Sequence, residues 1–222
     1  MKAFSNDPAV KQKYLDRLKA HHDADEIIKG KYWENGKGCA VGCTIHSDNH
    51  SEYETGELKI PRTIARLEDI IFENLPNHLA KTWPIRFMDA IPVGADLSKV
   101  WPKFAIFLLT DSTQCNSRHE QCIIVSDCFK RGLEGESVDW LATRRAADVA
   151  AAYADAAYAD AAYAAAYAAA YADAAYAAAD AAYAAADAAA AAATAAATAA
   201  KKRAFIAQSE KLLELLKEAE IN

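Results

Sequence analysis

The sequence lacks three things: an excess of basic residues, a long apolar run and, after Gly135, any glycine or proline. The formal net charge of −6 excludes a generally cationic surface for nucleic acid. Outside an alanine-rich tract, no charge-free run reaches the roughly 18 apolar residues of a membrane span, so no membrane association is predicted. The charged N-terminus predicts no signal peptide. Five cysteines, an odd number, fit no secreted framework and predict a cytoplasmic protein with free thiols.

The alanine-rich tract, residues 146–200, contains 39 Ala, seven Tyr and six Asp but no Lys or Arg. Its six aspartates account for the net charge, because the rest of the chain carries 25 basic and 25 acidic groups. Alanine is the strongest helix former, and no helix breaker follows Gly135. The sequence therefore predicts a long Ala/Tyr/Asp-rich helix over 138–220, or alternatively a helical hairpin that turns near 194–200.

Most aspartates of this tract recur at heptad spacing, with one four-residue offset, and form a polar stripe on such a helix. Four of the tyrosines fall on the opposite side. Large tyrosine side chains among small alanines indicate a helix that packs on the N-terminal domain or on a second copy, which predicts a homo-oligomer. The alternative is a low-complexity spacer.

Residues 1–137 are predicted to form a compact helical domain, so the fold class is all-α, with a second segment at 138–222. Asp7 followed by Pro8 predicts a helix start, and the apolar spacing extends that helix to about residue 28. The clearest amphipathic helix spans 61–74, and shorter helices are predicted near 80–88 and 97–109. Ser51 and Glu54 have the spacing of a capping box.

The segment WENGKG is predicted to be a loop before a short helix, CAVGCTIH. A glycine-rich loop at a helix N-terminus can present backbone N–H groups and a lysine to an anion. The predicted ligand residues for a small anion are Gly36, Lys37, Gly38, Arg62 and Arg66. The spacing fits neither a P-loop nor a dinucleotide fingerprint, and the alternative is a turn with solvated surface charges.

Four potential metal ligands recur at helical spacing in the next segment: Cys39, Cys43, His46 and His50. Thiolate and imidazole are preferred zinc ligands, so a zinc site is the alternative to a protein without a cofactor. One straight helix cannot wrap four ligands around one ion, and the competing interpretation is two buried thiols beside Gly42. A second group, Cys115, His119, Cys122 and Cys128, is predicted to hold free thiols rather than a metal.

Part of the chain carries a resemblance to known sequences, in residues 38–44 (GCAVGCT), 65–69 (ARLED) and 95–98 (ADLS). These elements resemble an uncharacterised family of helical proteins from bacteria and their phages, many of which have Ala-rich C-terminal tracts. The family has no established activity, so the resemblance implies no catalytic residues. An association with phages implies a small, host-directed binding protein.

The sequence contains no G-x-S-x-G, no H-E-x-x-H and no paired-carboxylate signature, so an enzyme is not predicted. The first functional hypothesis is a non-enzymatic, oligomeric protein that sequesters a small, nucleotide-like anion. One alternative is a metal-binding or thiol-redox protein that uses the helix face with Cys39, Cys43, His46 and His50. The other is a helix whose role is structural self-assembly.

Overall fold

The computed structural model describes residues 1–114, 120–143 and 194–221. Within them the protein is all-α, as predicted, and its one sheet is a two-stranded hairpin. The helices are α1 (Pro8–Asp23), α2 (Ala40–Ile45), α3 (Glu52–Thr55), α4 (Arg62–Asn74), α5 (Asn77–Ala80), α6 (Trp83–Ala90), α7 (Val100–Thr110), α8 (Glu120–Leu133) and α9 (Thr194–Lys217), and the strands are β1 (Trp33–Glu34) and β2 (Lys37–Gly38). None of the helices in the three ranges combines the length and the apolar character that crossing a bilayer requires.

The first helix begins where Asp7 and Pro8 predict it. The Asp7 carboxylate accepts a hydrogen bond from an amide of the first turn at 2.8 Å, and Pro8 is the first helical residue. The predicted extension to residue 28 is wrong, because α1 ends at Asp23. Asp25 has a left-handed backbone, with φ 54°, and this conformation stops the helix and turns Glu26 back toward it.

The segment predicted to be a loop is an antiparallel hairpin formed by β1 and β2. Asn35 and Gly36 have φ values of 52° and 80°, the positive values that a two-residue type I′ turn requires. Asn-Gly is the sequence pair most typical of this turn, so the sequence itself contains the signal that corrects the prediction. The hairpin also holds the preceding chain, because the Gly38 carbonyl accepts a hydrogen bond from the Ile28 amide at 2.8 Å.

The short helix α2 confirms the helix predicted at CAVGCTIH, and it packs against α1, α4 and α6. Gly42 allows α2 to approach the chain at Tyr32 closely. A Cβ atom at position 42 would lie 1.6 Å from the Tyr32 carbonyl oxygen, and one at Gly38 would lie 2.1 Å from the same oxygen. Because neither glycine has a Cβ atom, α2 can pack this closely against the chain that leads into the hairpin.

The capping box predicted at the start of α3 does not form. No side-chain hydrogen bond caps that helix, because the Ser51 hydroxyl donates to the Asn49 side chain at 2.6 Å. The prediction for α4 is confirmed, and its apolar stripe of Ile64, Leu67 and Ile71 is buried. The helices α6 and α7 likewise lie within a few residues of the two predicted short helices.

Two compact units divide the chain, and the first comprises Met1–Val100 and Ser209–Asn222. Its largest fully buried side chains include those of Phe4, Tyr53, Phe72, Trp83 and Phe87. The end of the chain is held in this unit by the Glu220 main chain and side chain. The Glu220 carbonyl accepts from the Asp96 amide at 2.8 Å, and its carboxylate pairs with Lys99 at 3.0 Å.

The second unit comprises Trp101–Gln208. Within it, the ring of Phe129 on α8 packs against Trp101 and Trp140, with centroid distances of 6.1 and 4.8 Å. Aromatic pairs at such distances stabilise a packed core. The predicted domains, 1–137 and 138–222, stay a prediction, and the two contact-based units cut the chain at other positions.

The helix α9 runs without a break from Thr194 to Lys217, so the turn predicted near 194–200 is wrong. The absence of glycine and proline explains the continuity, because nothing in this stretch disfavours helix. Residues 144–193 lie outside the described residues. The predicted aspartate stripe and the choice between a continuous helix and a hairpin concern these residues. The homo-oligomer stays a prediction.

Candidate functional site

The four predicted metal ligands do not converge on one point. Cys39 and His50 lie beside Asp69 of α4, whereas Cys43 and His46 face the chain at the end of α1. Among residues 1–114, 120–143 and 194–221, no three His, Cys, Asp or Glu side chains are placed to hold a metal ion together. The prediction of a four-ligand zinc site is wrong. The helix α2 ends before His46, and the left-handed φ of 57° at His46 takes His50 off the helix face.

Asp69 of α4 is the centre of a half-buried polar cluster. Burial, together with the charge of Asp69 and a hydrogen bond to it, raises the pKa of the Cys39 thiol. His50 Nε2 lies 3.4 Å from Asp69 Oδ2, and the Tyr32 ring packs edge-on against His50. A cysteine acts as a nucleophile or a metal ligand in its thiolate form, and a raised pKa favours the protonated thiol. Cys39 therefore fits a structural contact between α2 and α4 better than redox chemistry.

Cys43 is also a buried thiol. Its Sγ donates to the Gly38 carbonyl at 3.3 Å and contacts the Glu26 carbonyl at 3.6 Å. Burial raises the pKa of Cys43 to about 12. The interpretation of Cys39 and Cys43 as buried thiols beside the close helix contact at Gly42 is therefore confirmed.

We expect Cys39 and Cys43 to resist alkylation in the native protein at about pH 8, because both are at most 1% exposed and alkylation requires an accessible thiolate. The measurement is peptide-resolved mass spectrometry after a short iodoacetamide pulse, with a urea-unfolded sample as the control in which both must react. Rapid labelling of either thiol in the folded protein would contradict this description and favour the thiol-redox alternative.

The second predicted cysteine group is described only in part, since Cys115 and His119 lie outside the described residues. Cys122 and Cys128 on α8 are buried, and Cys128 Sγ lies 3.4 Å from Thr143 Oγ1. The prediction of free thiols is confirmed for the four cysteines within the described ranges, none of which is in a disulfide.

The hairpin residues predicted to bind an anion have other roles. The Gly38 amide donates to the Glu26 carbonyl at 3.1 Å, so its N–H group is already used. Gly36 supplies a positive φ to the turn. Lys37 on β2 is exposed, and its charge helps to lower the pKa of Asp25, after the larger effect of Lys81.

The two predicted arginines lie on α4. The charge of Arg66 acts on Tyr32, whose pKa is raised by burial and by Asp69. The Arg62 amide donates to a Glu54 carboxylate oxygen at 3.4 Å. The anion site expected from these arginines and the hairpin amides therefore stays a prediction.

A pocket of about 200 Å³ lies between the chain at residues 27–29, α4 and α5. We call it the lysine pocket; its lining consists of Ile27, Ile28, Lys29, Phe72, Asn77, Ala80 and Lys81. Ile27, Phe72 and Ala80 are each at most 4% exposed, so the pocket has an apolar floor. None of the five predicted anion ligands lines it.

Two lysines, Lys29 and Lys81, line the lysine pocket. Lys29 Nζ donates to the Leu75 carbonyl, and burial lowers its pKa against the opposing charge of Glu73. Lys81 Nζ pairs with Asp25, a carboxylate with a 74% exposed side chain. An ammonium has three hydrogen-bond donors, and an exposed ion pair is weak, so one such contact does not use the full bonding capacity of either lysine.

Glu68 of α4 is a fully buried carboxyl group that the sequence did not single out. The Tyr53 hydroxyl donates to Glu68 Oε2 at 2.7 Å, and Trp83 Nε1 donates to the Glu68 main-chain carbonyl at 2.9 Å. Burial raises the pKa of Glu68 well above its usual value, and the neighbouring Asp69 adds to the rise. The neutral carboxyl is therefore the form that this core favours.

Comparison with known proteins adds no relative. No protein-family model matches the chain, and neither a curated protein nor a solved structure matches it. The resemblance carried by the GCAVGCT segment therefore stays a prediction.

Proposed function

We propose that the protein is a non-enzymatic binding protein that takes up a small organic anion in the lysine pocket. The observation that carries the proposal is an apolar floor combined with two lining lysines in one cavity of about 200 Å³. Small-molecule sites are typically concave and mostly apolar, with a few polar groups that fix the ligand's orientation. A ligand with an apolar body and one carboxylate complements both parts.

Lys29 is the main cationic group of this pocket. Burial of Lys29 lowers the pKa of its ammonium, which donates to the Leu75 carbonyl; one such hydrogen bond uses only one of its three donors. A carboxylate beside Lys29 restores the missing interaction and strengthens it, since charge-assisted hydrogen bonds are roughly twice as strong as neutral ones. The same anion replaces Asp25 as the partner of Lys81 without leaving a buried charge, because Asp25 is exposed.

The volume narrows the ligand class. Pockets for drug-sized ligands occupy roughly 300–1,000 Å³, so the lysine pocket favours a ligand smaller than the nucleotide-like anion expected from sequence. Small aromatic or branched aliphatic carboxylates are the class proposed. A homo-oligomer and a host-directed role remain compatible with this proposal, and neither is needed for binding.

We expect benzoate to bind in the lysine pocket more strongly than its neutral counterpart benzamide, by a factor on the order of ten, because a charged hydrogen bond contributes about 1.5–3 kcal/mol. The measurement is a titration followed in amide correlation NMR spectra of the full chain. Saturable shifts are expected at the amides of Ile28, Lys29 and Asn77, which line the pocket.

Three variants locate the binding. Lys29→Gln is expected to lose the preference for benzoate over benzamide, and Ala80→Leu to exclude both by filling the floor. Lys19→Gln is the matched control, because Lys19 is an exposed lysine on α1 outside the pocket lining. Equal affinities of wild type and Lys29→Gln for benzoate, or shifts confined to other parts of the chain, would remove the proposal even if Ala80→Leu fails to fold.

A further inference from the structure

Two histidine rings face each other at the end of α1. His21 lies in the last turn of α1, and His46 is the C-cap residue that follows α2. Their Nε2 atoms are 2.8 Å apart, with the ring centroids 5.0 Å apart. We call these two residues the histidine pair; both are partly exposed, so solvent and ions can reach them.

Glu26 fixes the ring of His21. Its Oε2 lies 2.6 Å from His21 Nδ1, so the Nδ1–H group donates to the carboxylate. In the neutral ring this bond selects the tautomer whose Nε2 carries a lone pair. The same carboxylate–imidazole contact orients histidine ligands in metal sites and raises their basicity.

Trp33 fixes the ring of His46. The two rings stack at 4.5 Å between centroids, with an interplanar angle of 11°, and Trp33 also packs edge-on against His21 at 5.5 Å. The His46 amide donates to the Gly42 carbonyl at 2.8 Å, which fixes the backbone from which the ring projects. Both Nε2 atoms are therefore oriented by contacts other than the one between them.

Two facing imidazole nitrogens can share one proton, since one must donate and the other accept. The same lone pairs can bind a metal ion. With metal–nitrogen bonds of about 2.0–2.1 Å, two ligand positions at right angles are about 2.9 Å apart, close to the 2.8 Å between the Nε2 atoms. The separation of the two nitrogens therefore already matches that of adjacent metal ligands, and small rotations of the two side chains would direct both lone pairs at one ion.

We propose that the histidine pair binds a divalent transition-metal ion, with His21 and His46 as its two protein ligands and Glu26 as the group that orients His21. Imidazole suits Cu²⁺, Ni²⁺ and Zn²⁺, whereas Mg²⁺ and Ca²⁺ require oxygen ligands. Right-angled coordination is the geometry of Cu²⁺ and Ni²⁺, while Zn²⁺ favours tetrahedral angles. The expected order of affinity is Cu²⁺, then Ni²⁺, then Zn²⁺, with water in the remaining positions.

The charges around the histidine pair are balanced. Arg17 of α1 donates to the Thr44 carbonyl at 2.7 Å, and its positive charge acts on His46. The negative charge of the Glu26 carboxylate, which contacts His21, offsets the positive charge of Arg17. This site shares no residue with the lysine pocket, so the two proposals stand or fall separately.

The test is a Cu²⁺ titration of the untagged, full-length protein, followed by tryptophan fluorescence and by calorimetry. Because Trp33 stacks on a ligand ring, a bound Cu²⁺ ion is expected to quench its emission saturably at one ion per chain. His21→Gln and His46→Asn are expected to lose this binding; asparagine is chosen at 46 because it tolerates the left-handed backbone there. His22→Gln is the matched control on the same helix turn, and it is expected to bind like wild type.

Two further variants test metal binding and the fluorescence signal that reports it separately. Trp33→Phe is expected to abolish the saturable quenching while calorimetry still records the bound ion. Glu26→Ala is expected to weaken the affinity by about 10–100-fold, as loss of a group that orients a ligand typically does. Unchanged affinity in His21→Gln, or quenching that survives Trp33→Phe, would overturn the proposal, and these two results decide it even if His46→Asn does not fold.

Discussion

Relative to the variant Glu68→Gln, wild-type protein is expected to lose stability as the pH rises above about 4.3, the ordinary pKa of glutamate. The reason is the fully buried Glu68 carboxyl, whose pKa is raised well above its usual value by burial. In the folded chain it keeps its proton, whereas in the unfolded chain it ionises. Folding therefore takes up a proton over this pH range.

The sign follows from proton binding. When the pKa of a group is higher in the folded than in the unfolded chain, its whole contribution to stability is present at a pH below the unfolded-state pKa. That contribution is lost as the pH rises through the folded-state pKa. The slope for one such group reaches about 1.4 kcal/mol per pH unit. Glutamine resembles the neutral carboxyl in shape and can still accept from the Tyr53 hydroxyl, so the variant lacks the slope.

The measurement is a series of urea unfolding curves between pH 4 and pH 8 for wild type and Glu68→Gln. The informative quantity is the difference in slope, because the glutamine NH₂ group lowers stability by a pH-independent amount when it lacks an acceptor. Glu218→Gln is the control, since Glu218 is exposed and its replacement should leave the wild-type slope unchanged. Parallel pH profiles for wild type and Glu68→Gln would contradict a protonated Glu68.

Gly42→Ala is expected to destabilise the first unit by about 3 kcal/mol, the upper part of the usual range for overpacking, or more. Alanine is a better helix former than glycine by about 1 kcal/mol, so propensity alone predicts the opposite sign. The new Cβ would lie 1.6 Å from the Tyr32 carbonyl oxygen, a main-chain atom that cannot move aside as a flexible side chain can. α2 or the hairpin must shift, and the contacts of both are lost in part.

A matched substitution in α8 gives the opposite expectation. Gly132→Ala adds a Cβ whose nearest neighbour, a Trp140 ring atom, is 3.7 Å away, an ordinary contact distance. This variant is expected to gain about 0.5–1 kcal/mol from helix propensity and a less flexible unfolded chain. Thermal unfolding followed by circular dichroism compares the two. A Gly42→Ala protein as stable as wild type would show that Tyr32 and α2 are not in close contact.

The candidate sites were only partly accessible to sequence reasoning. The spacing from Cys39 to His50 treats these residues as one helix face, and the left-handed backbone at His46 divides that face. His46 meets His21, 25 positions earlier in the chain, because Asp25 ends α1 and lets the chain turn back. Lys29 and Lys81 are further apart still, and no local motif connects them.

Other features followed from local chemistry. Asp7 and Pro8 set the start of α1, and the apolar periodicity of α4 identified its buried stripe. Helix starts and amphipathic faces depend on residues within a few positions, so a sequence can specify them without a fold. The hairpin at Asn35-Gly36 belongs to the same class, since its turn signal is present in the sequence although the segment was interpreted as a loop.

The sequence by itself determined the all-α class and the main helices of the N-terminal part. The tertiary structure alone decided where chemistry can occur. Burial separates the thiols from solvent and raises the pKa of Glu68, and the fold brings two lysines to one apolar pocket. These properties arise from distances between residues remote in the chain, and pKa values and binding pockets depend on such distances rather than on spacing in sequence.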